Sequence, residues 1–197
     1  MTGCMKYLLL ILFCIPIVTT AQTSYEDSVT VFLKKYVTDH EVVTGADKQK
    51  LKFFPVSKQY RITASFEKKE NSAWFWMNTS GKEKKQYRVF GVLYFQLNDS
   101  LLTLQVYQSR NLLSSEKYKD YLFIPFTDKT SGIESYGGGR YIDLVLSDIV
   151  NKTYTIDFNK AYNPYCAYTT GYNCPIPPQE NDLQVAIKAG EMNYGKH

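Results

Sequence analysis

Histidine is scarce: the 197 residues contain two, His40 and His197. His40 falls just beyond an expected first helix and His197 is the last residue, so neither is placed as a general base. A histidine metal cage is excluded on the same ground, and no metal or other cofactor is expected. An excess of one charge is also missing. Lys and Arg total 23 against 19 acids, a net charge of +4. There is no basic stripe, zinc-finger spacing or RNA-binding aromatic motif, which argues against nucleic acid as a partner. Beyond the N-terminus no apolar run is long enough to span a bilayer. Repeats, low-complexity tracts and linkers are lacking too, so residues 22–197 are expected to form one domain. Hydrophobic residues at 44% and charged residues at 21% exclude a disordered chain, a collagen-like fibre and a coiled coil.

The N-terminus reads MTGCMKYLLLILFCIPIVTTAQ. Lys6 gives a positive start, Tyr7 to Val18 an apolar stretch, and Thr19-Thr20-Ala21 the small residues that a signal peptidase reads. Residues 1–21 are therefore expected to be a signal peptide. The rivals are an uncleaved anchor, for which the run is short, and a lipoprotein on Cys14, for which Phe13 is bulky. Cleavage leaves an exported protein, periplasmic or secreted, with no membrane span. Two of the four cysteines leave with the signal. Cys166 and Cys174 remain, and an even pair in an exported protein reads first as a disulfide. A redox or metal pair and two unrelated thiols are the alternatives.

Ser24-Tyr25-Glu26-Asp27 has the form of a capping box. Val29, Phe32, Leu33, Tyr36 and Val37 then fall on one helical stripe, which predicts an amphipathic helix ending near 38–40. From Gln59 the period changes to two. Strands are expected at 60–66, 73–77, 87–97, 101–107, 121–126, 140–146 and 154–158, with Gly91 marking a bulge or a close approach. Leu183, Val185 and Ile187 alternate as a strand would, although a short helix would fit them as well. Short polar turns with no intervening helices argue antiparallel pairing. The fold class is mainly β: an antiparallel curled sheet, barrel-like or sandwich, with the N-terminal amphipathic helix packed on it.

Residues 121–191 are crowded with polar and special side chains. Tyrosine occurs seven times from Tyr136 to Tyr172. Asp128, Thr130, Ser131 and Glu134 surround Gly132, either as a turn that feeds a strand or as a small site. The calcium-loop pattern is absent. Gly137-Gly138-Gly139 precede Arg140 without a P-loop context. Arg140 could fork a carboxylate or phosphate, or pair internally with Asp143, Asp157 or Glu134. On an extended segment Asp157 and Asn159 would face one side, with Ile156 and Phe158 toward the core. Asn163-Pro164 starts a turn, and Tyr162, Tyr165 and Tyr168 follow. Cys174-Pro175-Ile176-Pro177-Pro178 is a stiff extended arm, and Glu180-Asn181 follow it.

These stretches resemble a known family. PFTDKTSGIESYGGGRYIDL, IDFNKAYNPYCAY, CPIPPQEN and IKAGE are similar to the prokaryotic family known as domain of unknown function 1684. Weaker similarity extends through KLKFFPVSKQYRITASF and FGVLYFQL. Ser135 stands where the family more often has Thr, which keeps a hydroxyl. The resemblance implies single-domain membership and marks these motifs. It implies no activity, since none is established for the family.

No arrangement of residues names a reaction. The leading expectation is a non-catalytic module, binding or structural, with a Tyr/Arg/Asp-lined polar pocket for a small molecule. Its candidate residues are Asp128, Thr130, Glu134, Tyr136, Arg140, Asp157, Asn159, Asn163 and Tyr165. The alternative is a carboxylate- or metal-dependent hydrolase or lyase drawing on Asp128, Glu134, Asp157 or Glu180. A thiol-based role for Cys166 and Cys174 is the third reading. Composition says nothing of the ligand or the oligomeric state.

Overall fold

A computed structural model describes residues 24–195, and the expected signal peptide lies outside the described residues. Helix α1 spans Tyr25–Asp39. Its N-cap is Ser24, whose hydroxyl oxygen accepts from the Asp27 amide at 3.1 Å and supplies one of the partners that a first helical turn lacks. Val29 is the α1 residue that becomes fully buried. Short 3-10 turns at Gly45–Lys50 and Lys58–Tyr60 then lead into the sheet.

The strands are β1 (Arg61–Lys68), β2 (Phe75–Met77), β3 (Lys85–Leu97), β4 (Ser100–Ser109), β5 (Tyr121–Asp128), β6 (Arg140–Val145), β7 (Thr153–Asp157) and β8 (Asp182–Leu183). They form one curled half-barrel in the order β6-β5-β4-β3-β1-β7, with β2 on β3 and β8 on β5. The chain after β7 turns back so that Tyr162 bridges Tyr141 of β6, which draws the two ends of the sheet toward each other. All strand pairs are antiparallel except β5 with β8, which run parallel.

The sheet buries one face along its length and the other in part. Leu93, Leu104, Leu122, Ile124, Phe126, Ile142 and Ile156 fill the main core. Removing one such side chain from water contributes roughly 1.5–3 kcal/mol. A second, aromatic cluster of Met77, Tyr87, Tyr107, Phe123 and Tyr141 covers part of the other face. Alternation assigns the faces: on β5 Leu122 and Ile124 join the first cluster and Phe123 the second. Gly91 is the expected bulge, with a register shift between Val89 and Gly91. A Cβ there would lie 2.3 Å from the Phe66 ring, so glycine is what lets β1 and β3 close up.

The region 183–191 departs from its expected form. Only Asp182–Leu183 pairs as a strand, and the rest is irregular. Side chains explain the difference. Arg140 donates to the carbonyls of Ile187, Ala189 and Glu191, and Asp128 accepts from the Ile187 amide. These backbone groups are satisfied without a neighbouring strand.

Candidate functional site

Among the described residues the candidate side chains sort into separate clusters. Arg140 opens β6 after the three glycines. Gly139 has φ of 85°, and a Cβ on it would lie 2.6 Å from the Phe126 carbonyl. The Arg140 guanidinium is completely buried and meets Asp128 at 2.7 Å. Its expected partners Asp143, Asp157 and Glu134 are therefore replaced by Asp128. The rings of Phe54 and Phe126 lie 5.8 and 5.3 Å from it. Asp128 also accepts from the Thr130 amide at 2.8 Å, and the Thr130 and Ser135 hydroxyls share a hydrogen bond. Desolvation lowers the Arg140 pKa from its usual value, and the Asp128 charge opposes that shift. This cluster binds β5, β6 and the C-terminal segment together.

Asp157 and Asn159 form a second cluster. The expected extended segment is instead a 3-10 turn, Phe158–Lys160, in which the Asn159 amide donates to Asp157 Oδ1. Tyr25 of α1 donates its hydroxyl proton to the same oxygen at 2.8 Å. The Asn159 side chain bonds the Ser57 amide and carbonyl and the Tyr25 oxygen. Ile156 and Phe158 do face the core.

Glu191, which the sequence did not single out, organises a third cluster. It is completely buried. Its carboxylate accepts from Tyr168 at 2.7 and 2.8 Å, from Tyr36 at 3.1 Å and from the Asn163 amide at 2.9 Å. Burial pushes its pKa up to about 7, although these hydrogen bonds pull the other way. His40 packs edge-on to Tyr168, with ring centroids 4.7 Å apart. Its Nδ1 accepts from the Val43 amide, Nε2 lacks a partner, and burial lowers its pKa.

The remaining candidates are peripheral. Glu134 pairs with Lys188 at 3.0 Å on a solvated surface. Tyr136 donates to the Cys166 carbonyl and Tyr165 to Glu41. Glu180 is exposed. Cys166 and Cys174 are joined as a disulfide.

The concave feature that emerges is built around Asp143. Two adjoining hollows, of about 530 and 540 Å³, share Phe32, Asp143 and Tyr162. Asp157, Asp148 and Lys160 also line the first, and Tyr36, Tyr141, Tyr165 and Lys85 the second. Tyr121 donates to Asp143 Oδ1 at 2.6 Å, and the Tyr162 hydroxyl lies 2.8 Å from both oxygens. Asp143 keeps solvent contact at the floor of the groove, yet atoms crowd it on most sides. Desolvation therefore raises its pKa, while the two phenols hold it down. Tyr121 and Tyr162 are themselves pushed far up, by burial first and then by Asp143, so both keep their protons as donors. Among the described residues no three of His, Cys, Asp and Glu come together as a metal-ligand set. No helix among them is long and apolar enough to cross a membrane.

Of the first three tyrosines that follow Asn159 in the sequence, Tyr162 and Tyr165 line the hollows and Tyr168 turns to Glu191, and the acid beside the first is Asp143. Arg140 and Asp143 lie three apart on β6, so they point to opposite faces. A finer signal was present. Tyr121, Phe123, Tyr141 and Asp143 occupy alternate positions of two paired strands, which puts an acid within an aromatic stripe.

Comparison with known proteins agrees with this single-sheet picture. A solution NMR structure of an uncharacterized protein from Haloarcula marismortui is 30% identical and superposes with a TM-score of 0.65, over 87% of this chain and 97% of that one. No curated protein matches. A family model described as a protein of unknown function, DUF1684, matches residues 47–192. That span is well over half of the sequence, and this chain therefore belongs to the DUF1684 family.

Proposed function

We propose that this chain is an exported, non-catalytic module that binds a small molecule in the aromatic groove around Asp143. One observation carries the reading: Asp143 sits where two hollows meet, oriented by Tyr121 and Tyr162. Two phenol donors fix a carboxylate without neutralising it, which suits recognition of a ligand's own donors. The disulfide fits an oxidising compartment outside the cytoplasm. Of the original candidates, Asp157 and Tyr165 line the groove, while Arg140, Asp128 and Thr130 support the frame behind it.

The test is a chemical-shift titration of the mature protein against a mixed fragment library. Compounds that move the amides of 141–143 and 162 together, and fail to do so in Asp143→Asn, would support the reading. A library in which every compound leaves those amides unmoved would end it.

The hydrolase or lyase reading keeps one supporting observation: Asp143 and Asp157 line the same hollow. Two carboxyl groups on one cleft are what acid–base hydrolysis uses. Turnover of a groove-binding compound, lost in both Asp143→Asn and Asp157→Asn, would favour it over simple binding.

A further inference from the structure

The second hollow carries an unusual pair of charges. Asp143 lies at its floor and Lys85 on its wall, with Tyr141 and Tyr162 also lining it. Lys85 begins β3 and is half-buried. Among the described residues it enters no ion pair, and neither does Asp143. The two groups are thus opposite in sign, line one space, and form no ion pair with each other. The fully buried guanidinium of Arg140, by contrast, has its counter-charge in Asp128. A partly desolvated charge without a counter-charge is costly, and a ligand that supplies both counter-charges recovers that cost.

The walls constrain the body of such a ligand. Tyr141 and Tyr162 stand edge to face at 88°, and Tyr165 and Tyr172 at 67°. Rings in these orientations present both apolar edges and electron-rich faces, which receive an ammonium and an apolar side chain together. The phenol hydroxyls of Tyr121 and Tyr162 are already committed to Asp143, so they do not serve a polyhydroxylated ligand. A carboxylate offers about four acceptor positions, which leaves room on Asp143 for a further donor.

From this arrangement we infer that the groove takes a small zwitterion of the amino-acid type, with its ammonium on Asp143, its carboxylate on Lys85 and its apolar side chain against the tyrosines. This rests on the groove being a binding site, and it names the ligand class.

The experiment is a set of titrations of the mature, disulfide-bonded protein, followed by backbone amide shifts. The probes are phenylalanine, the dipeptide Gly-Phe as a longer zwitterion, phenylalanine amide as a cation, N-acetylphenylalanine as an anion, and the neutral N-acetylphenylalanine amide. One zwitterion is expected to bind at least about tenfold more tightly than the cation or the anion. Asp143→Asn should abolish its advantage over the anion, and Lys85→Met its advantage over the cation. Lys85 is half-buried at the start of β3 and belongs to no core cluster, so Lys85→Met reports even if Asp143→Asn is poorly folded. Equal binding of the charge-blocked forms would overturn the inference. So would no response to either zwitterion at about 10 mM, a concentration that detects even millimolar affinity. In the second case, shifts caused by other library compounds at 141–143 would show that the groove still binds and that only the ligand class was wrong.

Discussion

Arg140 and Asp128 meet at 2.7 Å with both side chains closed off from solvent. Around them, the carbonyls of Ile187, Ala189 and Glu191 converge on the same guanidinium. The pair is a staple for the C-terminal segment, and removal of either partner leaves the other as an uncompensated buried charge. Asp128→Asn or Arg140→Met should cost about 3–5 kcal/mol in urea unfolding. Arg140→Lys should not rescue the loss, because one ammonium cannot span an acid and three carbonyls. A cost below about 1 kcal/mol for Arg140→Met would show that the segment holds itself.

Burial disfavours the charged form of Asp143, and the hydrogen bonds from Tyr162 and Tyr121 work against that. Each hydrogen bond lowers the Asp143 pKa, while burial raises it. Tyr162→Phe and Tyr121→Phe should each raise that pKa further, and the double variant most of all. Carbon-detected titration of the Asp143 carboxyl reads this directly, and an unchanged midpoint in Tyr162→Phe would contradict the hydrogen-bond geometry.

Glu191 makes stability depend on pH. Its folded pKa of about 7 lies above the ordinary 4.5, so the folded state holds the proton more tightly than the unfolded chain. Stability from this group is then fullest below about 4.5 and is lost as pH rises toward about 7, by about 3 kcal/mol in total. His40 works in the opposite sense, since its lowered pKa favours folding as pH rises through the ordinary histidine range. The comparison with Glu191→Gln isolates the first effect. Stability of the wild type minus that of the variant should decline between pH 4.5 and 7, and a flat difference would remove Glu191 as its source.

The Cys166–Cys174 bridge closes a short loop, worth about 2.5 kcal/mol by chain entropy. Cys174, Tyr172 and Pro175 also line the second hollow. Reduction should lower the denaturation midpoint and broaden or shift the resonances of 172–175 and 162. Unchanged groove resonances after complete reduction would mean that the proline arm alone holds the wall.

Local rules made much of this fold legible. Ser24 and Asp27 announced α1, and Gly91 announced the bulge, because each acts through neighbours in sequence or across one strand pair. The region 183–191 was illegible for the opposite reason. Its alternation reads as a strand, but Arg140 and Asp128, about fifty residues earlier, take the backbone groups that a strand partner would have used. The acid of the proposed groove entered the sequence reading only as a partner for Arg140. Arg140 stood out as the only charged residue after a glycine run, whereas Asp143 gains its meaning from Tyr121 on the neighbouring strand and Tyr162 beyond β7. Glu191 is similar, since its three donors come from α1 and from residues 163–168.

Helix α1 rests on the sheet with a single fully buried side chain, Val29. Two phenols tie it down, Tyr25 to Asp157 and Tyr36 to Glu191, about 16 Å apart along the helix axis. Phe32, between them, overhangs both hollows. Tyr36 also packs on Phe53 and Tyr162, yet a helix with one fully buried side chain undocks at lower cost than a central strand leaves its neighbours. Undocking of α1 would therefore strip Phe32 from both hollows and Tyr36 from the second while leaving the half-barrel itself intact.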